Sequence, residues 1–295
     1  MIEAAKEITT ITSEVNVAGS NLNFKRIILR IIEEKNKGFK NSLFFFTSRL
    51  LRYSRLCYFF TLDLAGCKIQ FSPLAVPTAL FVSGDLEPET TIFLQGHLQS
   101  GDVYVDIGAN VGTTTLVAAK AVGESGIILC FEPNKKTYKA LITNINKNNF
   151  SNILAKQCAL GSKEGTVLFS DKNSDDMNRV SVVGEGDTVP LSTLDSYTKN
   201  IGKIKLLKID VEGYEMEVLQ GSVQTLKKTE MVLFESIERN ALNYGRSISE
   251  IILFLKQNNF RIVDMGFTME YNGTKASDQY PTNLVGLKIN NATNL

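Results

Sequence analysis

Residues 103–112 have the sequence VYVDIGANVG, a short apolar strand followed by a turn that opens a helix at about Val111. Gly108 and Gly112 let the backbone turn tightly and come close to a ligand, because a side chain at either position would obstruct it. The amino end of the helix presents free N–H groups to whatever lies over it. The pattern predicts a ligand-binding turn, with a tight structural turn that binds nothing as the simpler alternative.

The spacing of the small residues limits which ligand this turn can take. A dinucleotide site requires G-x-G-x-x-G, with the pyrophosphate on the helix amino end. Here the order is G-x-N-x-G, and Asp106 stands two residues before the first glycine. A carboxylate at that point opposes a phosphate and suits a cation such as an amino group. S-adenosylmethionine carries an ammonium and a sulfonium and no phosphate, so it fits the pattern better than a dinucleotide does.

Apolar strands alternate with helices from Gly101 onward. The predicted strands cover residues 103–107, 126–132, 152–160, 166–170, 204–210, 231–236, 260–265 and 283–288, and the predicted helices begin at about 111 and cover 135–146, 215–226 and 248–257. This alternation predicts an α/β fold whose mostly parallel sheet is covered on both faces. Ligands bind such sheets beyond the carboxyl ends of the strands. Glu132 lies at one such end, where an acid can accept hydrogen bonds from both ribose hydroxyls, and Pro133 and Asn134 then begin a helix.

Composition excludes several classes of protein. The chain has 32 Lys and Arg against 31 Asp and Glu, so its net charge of +1 gives no reason to expect nucleic acid. Its four cysteines form no C-x-x-C pair, and His97 is its single histidine. A zinc site or a disulfide framework is therefore not expected, and the free thiols favour a reducing, cytoplasmic location.

The amino-terminal part of the chain is basic and apolar. Residues 21–60 hold nine Lys or Arg against two Glu, and the apolar run 43–60 is interrupted by Arg49, Arg52 and Arg55. Those arginines argue against a membrane span. Two alternatives stay open: a helix packed on the main domain or on a homodimer partner, which we favour, and a membrane-surface helix. From Leu62, LDLAGCKIQFS and TALFVSG predict short strands, so residues 1–80 form an extension and 81–295 the main domain.

Several longer stretches carry a resemblance to a known family. GDVYVDIGANVGTTTLVAAK, CFEPNKKTYKALITNINKNN, ALGSKEG, PLSTLDSY and above all LLKIDVEGYEMEVLQGS resemble the FkbM-type S-adenosylmethionine-dependent methyltransferases, over roughly residues 84–240. The resemblance implies a seven-stranded class I methyltransferase sheet with its last strand antiparallel. It also implies S-adenosylmethionine as cofactor and methylation of hydroxyl groups on sugars or natural products.

The resemblance assigns each part of the cofactor to residues of this chain. It implies that the methionine part is lined by Asp106, Gly108, Ala109, Asn110 and Gly112. The ribose falls to Glu132, with Pro133 and Asn134 beside it, and the adenine is bordered by Cys158, Ala159 and Leu160. Asp210 follows the fourth strand, where the transferring methyl should lie. Glu87 resembles the family's acid that precedes the first core strand.

The block Lys208-Ile-Asp210-Val-Glu212-Gly213 supplies the candidate catalytic residues. Alternation along a strand puts Lys208 and Asp210 on one side, with Glu212 just past the tip. A hydroxyl acceptor must lose its proton, and Asp210 or Glu212, helped by Glu235, can serve as general base. Three carboxylates can alternatively hold a divalent metal, which we do not expect, and the block can also be a salt-bridged strand end.

The sequence therefore predicts an S-adenosylmethionine-dependent O-methyltransferase acting on a small or glycosylated hydroxyl substrate. One alternative is a nicotinamide-dependent oxidoreductase, against which the missing G-x-G-x-x-G and Asp106 argue. A second is a binding module that keeps the fold without the chemistry.

Overall fold

The structure is a computed structural model that describes residues 56–170, 179–181, 186–274 and 280–289. The strands, in chain order, are β1 Thr61–Leu64, β2 Cys67–Gln70, β3 Val103–Ile107, β4 Ile127–Phe131, β5 Ile153–Lys156, β6 Ala159–Leu160, β7 Gly165–Phe169, β8 Asp187–Ser192, β9 Ile204–Ile209, β10 Thr229–Glu235, β11 Phe260–Asp264 and β12 Asn283–Lys288. The α-helices are α1 Ala75–Ser83, α2 Pro88–His97, α3 Thr113–Val122, α4 Lys135–Lys147, α5 Leu194–Thr198, α6 Glu215–Gln220, α7 Val223–Lys227, α8 Glu238–Leu242 and α9 Ile248–Gln257.

Seven strands form the central sheet, in the order β11-β12-β10-β9-β3-β4-β5. Strands β5, β4, β3, β9 and β10 run parallel, whereas β12 is antiparallel to both β10 and β11. The predicted seven-stranded sheet with a reversed last strand is therefore confirmed. The parallel strands bring the carboxyl ends of β3, β4, β9 and β10 to the same edge of the sheet.

Both faces of the sheet are buried, which explains why its strands are nearly continuous apolar runs. Val105 and Leu207 point to one face and pack with helices α6, α7 and α9. Tyr104 and Leu206 point to the other face and pack with α2, α3 and α4. Because side chains alternate along a strand, Asp106 and Lys208 lie on the second face with Tyr104 and Leu206. The two polar residues are paired in the β3–β9 register.

The lead-in to the main sheet is partly as predicted. LDLAGCKIQFS forms the β1–β2 hairpin, in which the backbone N–H of Gln70 donates to the Asn144 side chain of α4 at 2.7 Å. TALFVSG, predicted as a strand, is instead the end of helix α1. Pro77 explains the error, because proline is tolerated in the first turn of a helix and cannot donate to a strand ladder. The boundary between residues 80 and 81 stays a prediction.

Two other predicted elements are divided in the structure. The predicted strand 152–160 breaks after Lys156, and its end becomes β6 of a separate three-stranded sheet ordered β6-β8-β7. The predicted helix 215–226 breaks into α6 and α7 at Gly221, where an added Cβ would lie 1.9 Å from the carbonyl oxygen of Gly161. In both places a close approach between distant backbone segments overrides the local pattern.

The predicted amino-terminal helix lies almost wholly outside the described residues, which begin at Leu56 with a short 3₁₀ helix, Leu56–Phe59. Over the ranges that the structure describes, no helix has both the length and the apolar character needed to span a bilayer.

Candidate active site

A cavity of about 380 Å³ opens at the carboxyl ends of β3, β4, β9 and β10. Most of the predicted site residues line it together: Glu87, Gly108, Ala109, Asn110, Glu132, Pro133, Cys158, Ala159, Leu160, Lys208, Asp210 and Glu212. Three others, Asp106, Gly112 and Asn134, are not part of its wall. Glu235, the predicted helper of the base, also lines the cavity, so the strand order gathers into one space residues that are up to 148 positions apart in the sequence, from Glu87 to Glu235.

Gly108 marks the point where two of these strand ends touch. Its φ is +86°, and an added Cβ would lie 1.8 Å from the carbonyl oxygen of Asp210. Side chains rarely adopt this backbone conformation, and here there is no space for one. The turn after β3 and the turn after β9 can therefore meet only because residue 108 is a glycine.

Gly112 packs against helix α4. Its φ is +93°, and an added Cβ would lie 2.6 Å from a methyl group of Leu141. The residue faces helix α4 and the core rather than the cavity. It allows α3 to pack closely on α4, and its predicted place beside the methionine part of a cofactor stays a prediction.

Asp106 is fully buried behind the cavity wall. Its Oδ2 accepts hydrogen bonds from the hydroxyls of Thr114 at 2.9 Å and Thr115 at 2.6 Å, both in the first turn of α3. Both hydroxyls bind the same oxygen, and the predicted contact of Asp106 with a cationic ligand group stays a prediction. Asp106 therefore fixes the start of α3 from behind, and this start forms part of the cavity wall.

Glu132 joins the turn after β3 to the turn after β4. Its Oε2 accepts from the backbone N–H of Asn110 at 3.0 Å, and its Oε1 accepts from that of Asn134 at 2.8 Å. The Asn134 side chain in turn caps helix α4, where it accepts from the backbone N–H of Lys136 and Thr137. Glu132 is thus held at the cavity wall by two backbone donors, while Asn134 is a helix cap next to it.

Lys208 and Asp210 form an ion pair at the end of β9. The Lys208 ammonium is almost completely buried and lies 2.8 Å from Oδ2 of Asp210. Burial alone would lower the pKa of Lys208, but the nearby carboxylates, that of Asp210 foremost, outweigh it and raise the pKa well above its ordinary value. The salt-bridged strand end considered from the sequence is therefore present, and it lines the cavity.

Glu87 faces this pair from the start of α2. Lys208 favours the ionised form of Glu87, yet burial and the Asp210 carboxylate together raise the pKa of Glu87 above its ordinary value. The sequence selected Glu87 only through the family resemblance. In the structure, its carboxyl group interacts electrostatically with Lys208 and Asp210.

Three carboxyl groups meet at this end of the cavity. One oxygen each from Asp210, Glu212 and Glu235 lies within 4.8 Å of the others. Burial and the neighbouring carboxylates, that of Asp210 first, raise the pKa of Glu235 to about 9. Oxygen ligands at this spacing suit a hard divalent cation. An acidic cluster is not enough to assign a metal, and the residues also suit proton transfer.

Two residues that the sequence analysis overlooked hold the turn 210–213. The buried Glu215 accepts through Oε1 from the backbone N–H of Val211 at 3.1 Å and of Gly213 at 3.2 Å. Burial raises the pKa of Glu215 to about 7. Asn240 donates to both Glu212 and Glu235. In the sequence, Glu215 resembles an ordinary acid in the first turn of a helix, and Asn240 carries no signal.

Part of the cavity lining is apolar. Phe169 and Val180 extend from the three-stranded sheet, and Tyr214 follows the turn after β9. The Tyr244 hydroxyl donates to the Val180 carbonyl at 2.6 Å, and the Tyr244 ring lies against that of Tyr214. The cavity lining therefore combines carboxylates with apolar and aromatic side chains.

Comparison with known proteins identifies the fold class and the family of this chain. A seven-stranded sheet in this order, with β12 reversed and the cavity at the carboxyl ends, defines the class I methyltransferase fold. Residues 106–262, more than half of the chain, match the family model of the methyltransferase FkbM domain. The chain belongs to the FkbM methyltransferase family.

Individual relatives are more distant. The chain is 30% identical over 142 residues to Methyltransferase 1 of Beauveria bassiana, covering 40% of this chain and 57% of that protein. It is 26% identical over 153 residues to the hexuronic acid methyltransferase AglP of Haloferax volcanii, covering 50% of this chain and 62% of that protein. Among solved structures, a SAM-dependent O-methyltransferase from Thermotoga maritima is similar with 13% identity and a TM-score of 0.41, over 78% of this chain and 77% of that one. The chain thus spans about three-fifths of the length of the curated relatives it matches.

Proposed function

We propose that the protein is an S-adenosylmethionine-dependent O-methyltransferase that acts on a hydroxyl group of a sugar or another natural-product small molecule. One observation carries the proposal. The carboxylate of Asp210, paired with the buried Lys208, shares a cavity of about 380 Å³ with the Gly108 turn and with Glu132. A candidate base and a candidate nucleoside site therefore face the same space.

The residues present fit the cofactor. Gly108 leaves open the place where two strand ends meet, Glu132 offers a carboxylate at the second strand end, and Cys158, Ala159 and Leu160 give an apolar border. The cavity volume falls within the usual range for small-molecule sites. When bound, S-adenosylmethionine supplies a methyl group whose bond to sulfur breaks with its electron pair on sulfur, as an acceptor oxygen forms the new bond to that methyl carbon.

Residues of the chain remove the proton from the acceptor hydroxyl. Asp210 takes the proton of the hydroxyl as the oxygen is methylated, so no excess charge accumulates on the product. Lys208 orients Asp210 through the 2.8 Å ion pair. The apolar wall of Phe169, Val180 and Tyr214 excludes water and contacts the less polar face of the acceptor, and this brings the hydroxyl into line. The oxidoreductase alternative loses support, because the chain's family is one of methyltransferases.

A transfer assay tests the function. The full-length chain would be incubated with S-adenosylmethionine labelled in its methyl group and with separate hexoses, hexuronic acids and polyketide alcohols. We expect label in a product that survives mild alkali, as a methyl ether does. Label released as methanol would indicate a methyl ester instead. Absence of transfer to hydroxyl compounds, with transfer to amines or thiols, would contradict O-methylation.

The first prediction concerns Glu132. Glu132→Ala should weaken the binding of S-adenosylhomocysteine by about 1.5–3 kcal/mol, the range for hydrogen bonds to a charged group, because both ribose contacts are lost. Isothermal titration calorimetry measures the change. The exposed Glu124 provides a matched control, and Glu124→Ala should bind like the parent. Equal affinity of the parent and Glu132→Ala would remove Glu132 from the ribose site.

The cytoplasmic location and a homodimer stay predictions from the sequence. So does association of the amino-terminal segment with a membrane surface. None of them is needed for the proposed chemistry.

A further inference from the structure

Asn240 occupies a position between two of the three clustered carboxyl groups. It lies in α8, directly after β10, and its side chain is buried outside the cavity wall. Its Nδ2 donates to Oε2 of Glu212 at 2.9 Å and to Oε2 of Glu235 at 3.1 Å. An amide nitrogen carries two hydrogens, so each can serve one carboxyl group. The side chain therefore bridges the turn after β9 and the end of β10.

The backbone of Asn240 is in close contact with the same turn. Gly213 has a φ of +102°, and an added Cβ would lie 2.1 Å from the carbonyl oxygen of Asn240. The turn that carries Asp210 and Glu212 thus packs directly against the residue that binds Glu235. Both the backbone and the side chain of Asn240 fix the distance between the two strand ends.

The charges around Glu235 come from several elements. Asp210 and its partner Lys208 belong to the end of β9, Glu212 to the turn, and Glu215 to α6, while Glu87 faces the pair from α2. Burial and the carboxylates of Asp210, Glu212 and Glu215 raise the pKa of Glu235, whereas the hydrogen bond from Asn240 lowers it. Like charges this close favour retention of a proton by one member of the group.

We propose that Asn240 is a positioning residue for methyl transfer: its amide holds the carboxyl groups of Glu212 and Glu235 beside Asp210, where Glu235 faces the acceptor as the protonated carboxyl group and Asp210 takes the acceptor proton. This inference rests on the proposed function. A protonated Glu235 donates a hydrogen bond to an acceptor oxygen and does not compete with Asp210 for the proton. Two carboxyl groups in different protonation states at one site are a recurring arrangement for acid–base chemistry.

The proposal can be tested without a known acceptor. Urea unfolding in EDTA, from pH 5 to pH 10.5, would be measured for the parent, Glu235→Gln, Asn240→Ala and the double variant. Asn240→Leu keeps a similar side-chain volume without the donors and adds no charge, and it serves if Asn240→Ala does not fold. Asn243→Ala, in the exposed residue just after α8, is the control. S-adenosylhomocysteine affinity, measured by calorimetry on the same proteins, tests the proposed function separately.

The expected sign follows from the raised pKa. Folded Glu235 keeps its proton up to about pH 9, whereas the unfolded chain loses it near 4.5, so this group's contribution to stability falls as the pH rises between those values. Glu235→Gln does not titrate, so its stability relative to the parent should rise across that window. The gain is at most about tenfold in the folding equilibrium constant per pH unit, and it levels off near the folded pKa.

Asn240 determines the pH at which the stability gain of Glu235→Gln levels off. Without the amide donor, the ionised form of Glu235 loses a hydrogen bond. The pH at which the stability gain of Glu235→Gln levels off should therefore be higher in the Asn240→Ala and Asn240→Leu backgrounds and unchanged in Asn243→Ala. If the stability of Glu235→Gln relative to the parent does not change with pH, Glu235 is not the carboxyl group that keeps its proton in the folded protein. Levelling at the same pH with and without the Asn240 amide would reduce Asn240 to a structural residue and overturn the proposal.

Discussion

Asp210→Asn should lower the rate of methyl transfer by about 10²–10⁴, the usual contribution of general acid–base catalysis. The amide cannot take the acceptor proton, although it has nearly the same shape as the carboxylate. The fold should persist, because the contact between Asp210 and Gly108 is made by the Asp210 backbone carbonyl. S-adenosylhomocysteine should bind with nearly the parent's affinity. Single-turnover kinetics with an acceptor from the transfer assay measures the loss.

Asp187→Asn is the matched control, because Asp187 is exposed at the start of β8. It should transfer methyl groups at the parent's rate. If Asp210→Asn stays within a factor of a few of the parent, the base is Glu212 or the reaction needs none. A large loss accompanied by an equal loss of cofactor affinity would instead assign Asp210 to binding.

Gly108→Ala should abolish measurable binding of S-adenosylhomocysteine. The new Cβ would lie 1.8 Å from the Asp210 carbonyl oxygen, so the two strand ends that form the cavity must separate. Strain from the left-handed backbone adds about 1–2 kcal/mol of destabilisation. Calorimetry gives the binding, and urea unfolding gives the stability.

Gly84→Ala separates the effect of backbone strain from the effect of the steric contact between the strand ends. Gly84 has a similar φ of +83°, yet an added Cβ would meet no atom within 4 Å. Gly84→Ala should lose only the stability that the backbone strain costs, less than Gly108→Ala loses, and should retain full cofactor affinity. Normal cofactor binding by Gly108→Ala would mean that the contact between the two strand ends is not needed for the site.

The sequence predicted the fold well because the strands carry their own signal. Strand β3, helix α9 and strand β12 have the predicted bounds, since each is an apolar or amphipathic run with clear ends. The glycines and acidic residues at the strand ends predicted where the cavity lies. One failure came where a contact between distant residues overrides a local pattern, at Gly221 between α6 and α7. Another came from local chemistry, where Pro77 lies in the first turn of α1.

The roles of individual site residues were harder to predict than their location. Asp106 and Gly112 belong to the predicted turn, but the strand's alternation and the packing of α4 place them behind the wall. Asn240 is 28 residues from Glu212, so nothing local to either residue indicates the hydrogen bond that joins them. Spacing along the chain therefore identified which turn binds, and the structure was needed to show which side chains face inward.

Calorimetric titration of the full-length chain with S-adenosylhomocysteine and, separately, with NAD⁺ tests the central claim most directly. We expect saturable binding of one S-adenosylhomocysteine per chain and no binding of NAD⁺, because the G-x-N-x-G turn differs from the G-x-G-x-x-G turn that holds a pyrophosphate. Saturable binding of NAD⁺ with none of S-adenosylhomocysteine would contradict the account.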